Sequence, residues 1–132
     1  MSDPLDNART MWADDPASAA MGMRLDELGP GRAVVSMTVR GDMVNGHGMC
    51  HGGLVAALAD SAFALACNSR GTRTVAAGFD VTFLEPARDG DVLVATAGER
   101  SLRGRSGIYD VTVRRDETVI AEFRGRSRAL GT

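Results

Sequence analysis

A chain of 132 residues, 44% apolar and without a low-complexity run, is long enough to build one domain with a proper core, and residues 1–132 are read as that single domain. Fifteen basic against seventeen acidic residues give a formal net charge of −2, which excludes any overall electrostatic pull toward nucleic acid or a membrane surface, and neither is expected as a partner. The start, Met1-Ser2-Asp3-Pro4-Leu5-Asp6, has no basic cluster and no apolar stretch of signal length; a cytoplasmic location is expected, where Cys50 and Cys67, which make no C-x-x-C pair, read as free thiols.

In chain order, residues 6–15 read as a short amphipathic helix that stops before Pro16, with Met11 and Trp12 packing on the outside of the core. A brief alternation over 21–28, the turn Gly29-Pro30-Gly31 and a strand over 32–40 form a hairpin. A glycine-rich loop, Asn45 to Gly53, then runs into the apolar stretch Leu54–Cys67. Four further runs have strand character: 75–84, 91–100, 108–115 and 118–128. Phe79, Val81 and Phe83 alternate with Asp80 and Thr82, and Tyr109, Val111 and Val113 with Asp110, Thr112 and Arg114, so one face is apolar and the other mixed. Short connections favour antiparallel pairing. The expected class is α+β, a curved antiparallel sheet of about five to six strands wrapped around one long central helix.

That helix carries apolar residues on every face except at Asp60 and Ser61, the pattern of a helix enclosed on all sides. Six alanines favour helix and let a sheet approach closely, and the run falls short of the roughly 18 residues that cross a bilayer. A lone carboxylate in such a helix is costly unless it is paired, hydrogen-bonded or turned to a cleft, so Asp60 either bonds a neighbouring loop or does chemistry. The helix entry, Cys50-His51-Gly52-Gly53, has no conventional capping side chain. The N–H groups of Gly52 and Gly53 are therefore free to face a ligand oxygen, the makings of an oxyanion site.

Gly52 and Asp60 are eight residues apart, and at about 1.5 Å per residue they stand roughly 12 Å from each other. One carbonyl cannot touch both. If Gly52 polarises a carbonyl and Asp60 directs attack on the same carbon, they come from two antiparallel copies of the helix across a two-fold interface, and the chain must be a homodimer.

Other site readings are weaker. His47, Cys50 and His51 have zinc-ligand chemistry but no fourth ligand at usual spacing. Cys50 with His51 as nucleophile and base would need adjacent loop side chains to meet. Gly46-x-Gly48 lacks the third glycine and the βαβ unit of a dinucleotide fingerprint. No metal and no cofactor are expected.

Taken together, Asn45, the His51-Gly52-Gly53 triplet, Asp60, the Phe83-Leu84-Glu85-Pro86 strand end, Gly90-Asp91, the turn from Arg105 to Tyr109 and the helix end Ala66-Cys67-Asn68-Ser69 resemble the hotdog-fold thioesterases, most of all the PaaI-type phenylacetate-degradation thioesterases, from about Trp12 through Gly131. The resemblance implies a sheet-wrapped helix, dimers with a continuous sheet usually paired into tetramers, and hydrolysis of acyl-CoA at the dimer interface. It implies further that Asp60 is the nucleophile or the base that activates water, and that Gly52 N–H of the partner helix polarises the thioester carbonyl. Asn45 positions the acyl group or the water, and His51 stands beside the oxyanion site.

Gly53, Ser61, Phe63, Phe79 and Phe83 are placed with the substrate. Arg103 and Arg105 are candidates for the CoA phosphates, with Arg70, Arg73 and Arg88 behind them. The expected activity is hydrolysis of (hydroxy)phenylacetyl-CoA-like esters in phenylacetate catabolism. A hotdog hydratase or dehydratase, or a non-catalytic acyl-CoA-binding module, is the alternative.

Overall fold

Alternating apolar residues produce six strands, β1 (Arg24–Gly29), β2 (Arg32–Thr38), β3 (Thr74–Phe83), β4 (Val92–Arg103), β5 (Ser106–Arg115) and β6 (Thr118–Ala129), joined in one antiparallel sheet of order β1-β2-β4-β5-β6-β3. The computed structural model describes residues 3–130. Met1-Ser2 and Gly131-Thr132, the latter including the far end of the stretch that carries the resemblance, lie outside them. Three α-helices, α1 (Asp6–Ala13), α2 (Pro16–Ala20) and α3 (Gly52–Cys67), and a single 3-10 turn at Gly41–Met43 complete the fold among the described residues. Among the described residues, no helix is long and apolar enough to cross a membrane.

The inner face of the sheet, including Val35, Leu93, Ala95, Tyr109, Val111, Val113 and Phe123, closes on Leu58, Ala62, Phe63 and Ala66 of α3. The approach is close because both sides are trimmed. The alanines of α3 keep the helix narrow, and at Gly125 of β6 a Cβ would stand 2.8 Å from the Phe63 ring. Only glycine lets the strand pass over that ring.

Enclosure of α3 on every side is not what the structure shows. Leu54, Ala57, Asp60, Ser61 and Ala64 are only half-buried. The sheet covers one side of the helix, and on the other the cover from the described residues comes from α1 and α2. Uniform apolarity reported that the helix is unsuited to water, not that its own chain covers all of it.

A second departure lies at the N-terminus. Helix α1 stops before Pro16 as expected, at Ala13, but Pro16 also opens a second helix, α2, whose N-cap is Asp15, with the Ser18 N–H donating to Asp15 Oδ1 at 3.0 Å. Proline suits the first helical position because the N–H it lacks would have no partner there. Met11 and Trp12 of α1 do pack against the core as expected.

The C-terminal end of α3 is tied down by buried Asn68. Its Nδ2 donates to Ala64 O (2.9 Å) and Thr74 O (3.0 Å), and its Oδ1 accepts from Thr74 N (3.0 Å). Asn7 Nδ2 of α1 donates to Asn68 O at 3.0 Å. One side chain thus ends α3 and starts β3, and its backbone docks α1.

Candidate active site

The loop before α3 is shaped by Asn45. Its side-chain Oδ1 accepts from His47 N (2.9 Å) and Met49 N (3.2 Å), Gly48 N donates to Asn45 O (3.0 Å), and Gly48 takes the left-handed conformation (φ +76°) that this tight return needs. Because both bonds use Oδ1, Nδ2 is the part of Asn45 that can reach a substrate oxygen. Cys50 N donates to Ala87 O (2.7 Å) and His51 N to Met43 O (2.8 Å), pinning the loop to the body of the fold.

His51 is the N-cap of α3 by backbone only. Its carbonyl accepts from Leu54 N (2.9 Å) and Val55 N (3.2 Å), its imidazole makes no capping bond, and the residue is exposed. Among the described residues nothing accepts from the N–H groups of Gly52 and Gly53. These two donors sit at the positive end of a sixteen-residue helix. Gly52 opens into a cleft of about 330 Å³ lined also by Asn45, Cys50, Val55, Phe83 and Pro86. A Cβ on Gly52 would meet the Phe83 ring at 3.1 Å, so a side chain there would crowd the cleft and push the exposed ring aside.

Asp60 lies elsewhere. Two turns along α3, it faces a separate cleft of about 270 Å³ walled by Met11, Asp15, Ser18 and Met21 from the N-terminal helices and by Ala57, Ser61 and Ala64 of its own helix. No hydrogen bond from the described residues reaches its carboxylate. Burial, and then the negative charge of Asp15, push its pKa above the usual carboxylate range. The bland alternative, an Asp spent on a neighbouring loop, is therefore not what the structure contains.

Of the aromatic residues singled out above, the structure keeps one at these clefts and places two away from them. Phe83 (50% exposed) lines the Gly52 cleft. Phe79 (42% exposed) stacks on Phe123 with centroids 4.7 Å apart and borders neither cleft. Phe63, expected as a pocket wall, is instead fully buried, tilted against Tyr109 and Phe123 at 5.6 and 5.8 Å, so it packs the core. Gly53 is exposed beside His51. Ser61 Oγ lies 2.9 Å from Ser18 Oγ.

Arg103 and Arg105 are exposed at the β4–β5 hairpin and, like Arg73 and Arg88, enter no ion pair among the described residues. Arg70 is engaged, donating to Glu99 at 3.0 Å, and Glu99 also accepts from Tyr109. Cys50 and Cys67 are buried free thiols; burial pushes Cys50 up, and Cys67 to about 12, so neither offers a thiolate near neutral pH.

Sequence reasoning missed the wall over Asp60, formed by Asp15 and Ser18. A signal for it was present: Asp followed by Pro is a helix start, and reading it so would have placed α2.

Comparison with known proteins accords with this geometry. The family model described as Thioesterase superfamily matches residues 47–122, from the glycine-rich loop into β6. Acyl-coenzyme A thioesterase PaaI of Escherichia coli K12 is 43% identical over 126 residues, covering 95% of this chain and 90% of that protein. The structure of the E. coli PaaI protein from the phenylacetic acid degradation operon superposes with a TM-score of 0.94 at 41% identity, covering 98% of this chain and 94% of that one. The TT0310 protein of Thermus thermophilus superposes with a TM-score of 0.85 at 41% identity, over 88% and 98% of the two chains. With the sheet, the uncapped helix and the lone carboxylate all in place, the chain belongs to the thioesterase superfamily, has its hotdog fold and is a thioester hydrolase.

Proposed function

We propose that this chain hydrolyses acyl-CoA thioesters whose acyl part is an arylacetyl group, (hydroxy)phenylacetyl-CoA among them, and that Asp60 of one protomer works with the Gly52 N–H of a second. The observation that carries the reading is that two groups suited to one reaction open into separate clefts of the same chain. An antiparallel partner helix brings the Gly52 cleft of one copy to the Asp60 cleft of the other. The edge strand β3 supports such pairing. Its outer side carries no neighbouring strand, and Val75, Phe79 and Phe83 stand exposed along it. The dimer is the minimal active unit, a tetramer its expected assembly, and residues 1–132 act as one domain in the cytoplasm.

In the reaction, the carbonyl oxygen of the thioester accepts from Gly52 N–H, and charge that develops on it is met by the helix terminus. Asp60 directs attack on the carbonyl carbon, as a base taking a proton from water or as a nucleophile whose acyl adduct water then opens. The C–S bond breaks and CoA leaves as a thiolate, which needs little protonation. This explains why one carboxylate and one oxyanion site suffice without a serine triad. Asn45 Nδ2 holds the acyl side and Phe83 flanks it; His51 and Gly53, exposed on either side of Gly52, stand next to the oxyanion donor. Arg103 and Arg105, with Arg73 and Arg88, face the CoA phosphates; Arg70 is held by Glu99. The place in phenylacetate catabolism rests on the relatives' names and on the aromatic residue at the cleft.

Thiol release from phenylacetyl-, hydroxyphenylacetyl-, benzoyl-, short-chain and long-chain acyl-CoA tests the proposal. Arylacetyl esters are expected to be fastest, with Asp60→Asn inactive on all. Faster turnover of aliphatic esters overturns the substrate class, and full turnover by Asp60→Asn overturns the site. Hydration of crotonyl-CoA with no thioester cleavage would move the chain to the lyases.

A further inference from the structure

Helix α2 has only five residues, yet a chain of hydrogen bonds runs from its cap to the helix that carries Asp60. Asp15 Oδ1 accepts from Ser18 N (3.0 Å) and Asp15 Oδ2 from Ser18 Oγ (2.7 Å), and Ser18 Oγ lies 2.9 Å from Ser61 Oγ. A hydroxyl has one proton to give. Ser18 gives its proton to the carboxylate, so the remaining contact runs from Ser61 to Ser18, and the direction Ser61 to Ser18 to Asp15 is set. Ser18, the middle of the relay, is 3% exposed, so water competes little for its hydroxyl, while Asp15 and Ser61 at the two ends are half-buried.

The relay ends one residue from Asp60, and all four residues line the same cleft. Ser61 spends its proton on α2, which leaves it none to donate to a substrate. What the contact does is hold α2, and with it Met21, against α3 beside the carboxylate. We propose that Asp15, Ser18 and Ser61 are positioning residues for the hydrolysis, a relay that fixes the cleft wall and the aim of Asp60 without touching the thioester. This rests on the reading of Asp60 as the catalytic carboxylate.

A second consequence is electrostatic. Among the described residues, the titratable group that lines the cleft with Asp60 is Asp15, the N-cap of α2, and the other cleft residues are apolar or hydroxylic; buried Cys67, further along α3 and outside the lining, also feels the charge of Asp60. Cys67 is a neutral thiol near pH 7, its pKa pushed up to about 12. Asp15 is thus the charge that Asp60 senses, and it adds to the larger effect of burial in favouring the protonated acid.

The test is steady-state kinetics on the fastest ester of the panel for Ser18→Ala, Ser61→Ala, Ser61→Thr and Asp15→Asn, beside wild type and Asp60→Asn, with thermal unfolding of each. Ser18→Ala and Ser61→Ala are expected to lower kcat roughly ten-fold with KM little changed, less than the ~10²-fold that a 1 Å misplacement can cost. Ser61→Thr keeps the hydroxyl and is expected to restore kcat. Asn keeps an oxygen to cap Ser18 N–H but sets an NH2 where Asp15 Oδ2 accepts from Ser18 Oγ, so Asp15→Asn removes both the charge and the end of the relay, and is expected to lower kcat as the serine variants do and to move the acidic limb of kcat/KM to lower pH, a shift the serine variants do not share.

If Asp60→Asn is inactive while Ser18→Ala and Ser61→Ala match wild type in kcat, KM and pH profile, the relay is overturned and the catalytic reading stands. Equal losses in Ser61→Ala and Ser61→Thr, tracking a fall in Tm, also overturn it, because the hydroxyl is then not what matters. Full turnover by Asp60→Asn, or a panel with no hydrolysed ester, removes the catalytic reading and the relay together.

Discussion

At the scale of single residues, function is opposed to stability. Asp60 binds its proton more tightly folded than unfolded, so the stability linked to it is greatest below the unfolded pKa, 3.8, and is lost as pH rises through the elevated folded value. At neutral pH the charged form costs stability. Asp60→Asn is therefore expected to raise Tm while lowering kcat by roughly 10² to 10⁴, and calorimetry alongside the thiol assay reads both. Gly52 carries the complementary prediction. Alanine there keeps the N–H but sets a methyl 3.1 Å from the Phe83 ring, in the cleft where the carbonyl is proposed to dock. Gly52→Ala is expected to lose about 10²-fold in kcat, comparable with removal of an oxyanion donor; wild-type turnover would show that the carbonyl docks elsewhere. Both residues were legible in the sequence because each breaks a local rule: an acid in an apolar helix, and a helix start without a cap. Phe63 broke none, and as an aromatic on the same helix it could be assigned to pocket or core only once Gly125 was seen to lie over its ring.

At the scale of elements, periodicity located all six strands and the long helix to within a few residues, because alternation over 5–10 residues directly reports which face is buried. It failed at α2, where five residues are too few to show a period and a cap had to be read instead. The joints between elements were equally opaque. The resemblance marked Asn68 only as part of a helix end, whereas the structure shows one side chain joining α3 to β3, with its backbone holding α1. Asn68→Ala leaves the half-buried Thr74 N–H without its acceptor and removes the bonds donated to Ala64 O and Thr74 O, and a loss of about 1 to 3 kcal/mol is expected from urea unfolding. A change under about 0.5 kcal/mol would mean that water replaces the amide.

At the scale of the whole molecule, Asp60 and Gly52, the two groups proposed to act on one carbonyl, lie too far apart on one helix to do so together, and the exposed edge of β3 is where a second copy is expected. Val75, 43% exposed on that strand, tests this without touching either cleft. Val75→Arg is expected to shift sedimentation equilibrium toward monomer and to lower activity in proportion, with activity recovering at high protein concentration. A fully active monomer would overturn the two-chain site.

The sequence by itself determined the strands, the central helix and the two residues that break its pattern, since these follow from rules that act over one or two turns of chain. Only the tertiary structure decided that Asp60 and Gly52 open into different clefts, that Phe63 belongs to the core, and that Asp15 and Ser18 wall the carboxylate. Each of those depends on which distant segment folds against a given face, and a side chain's partners across the fold leave no trace in the spacing of its neighbours along the chain.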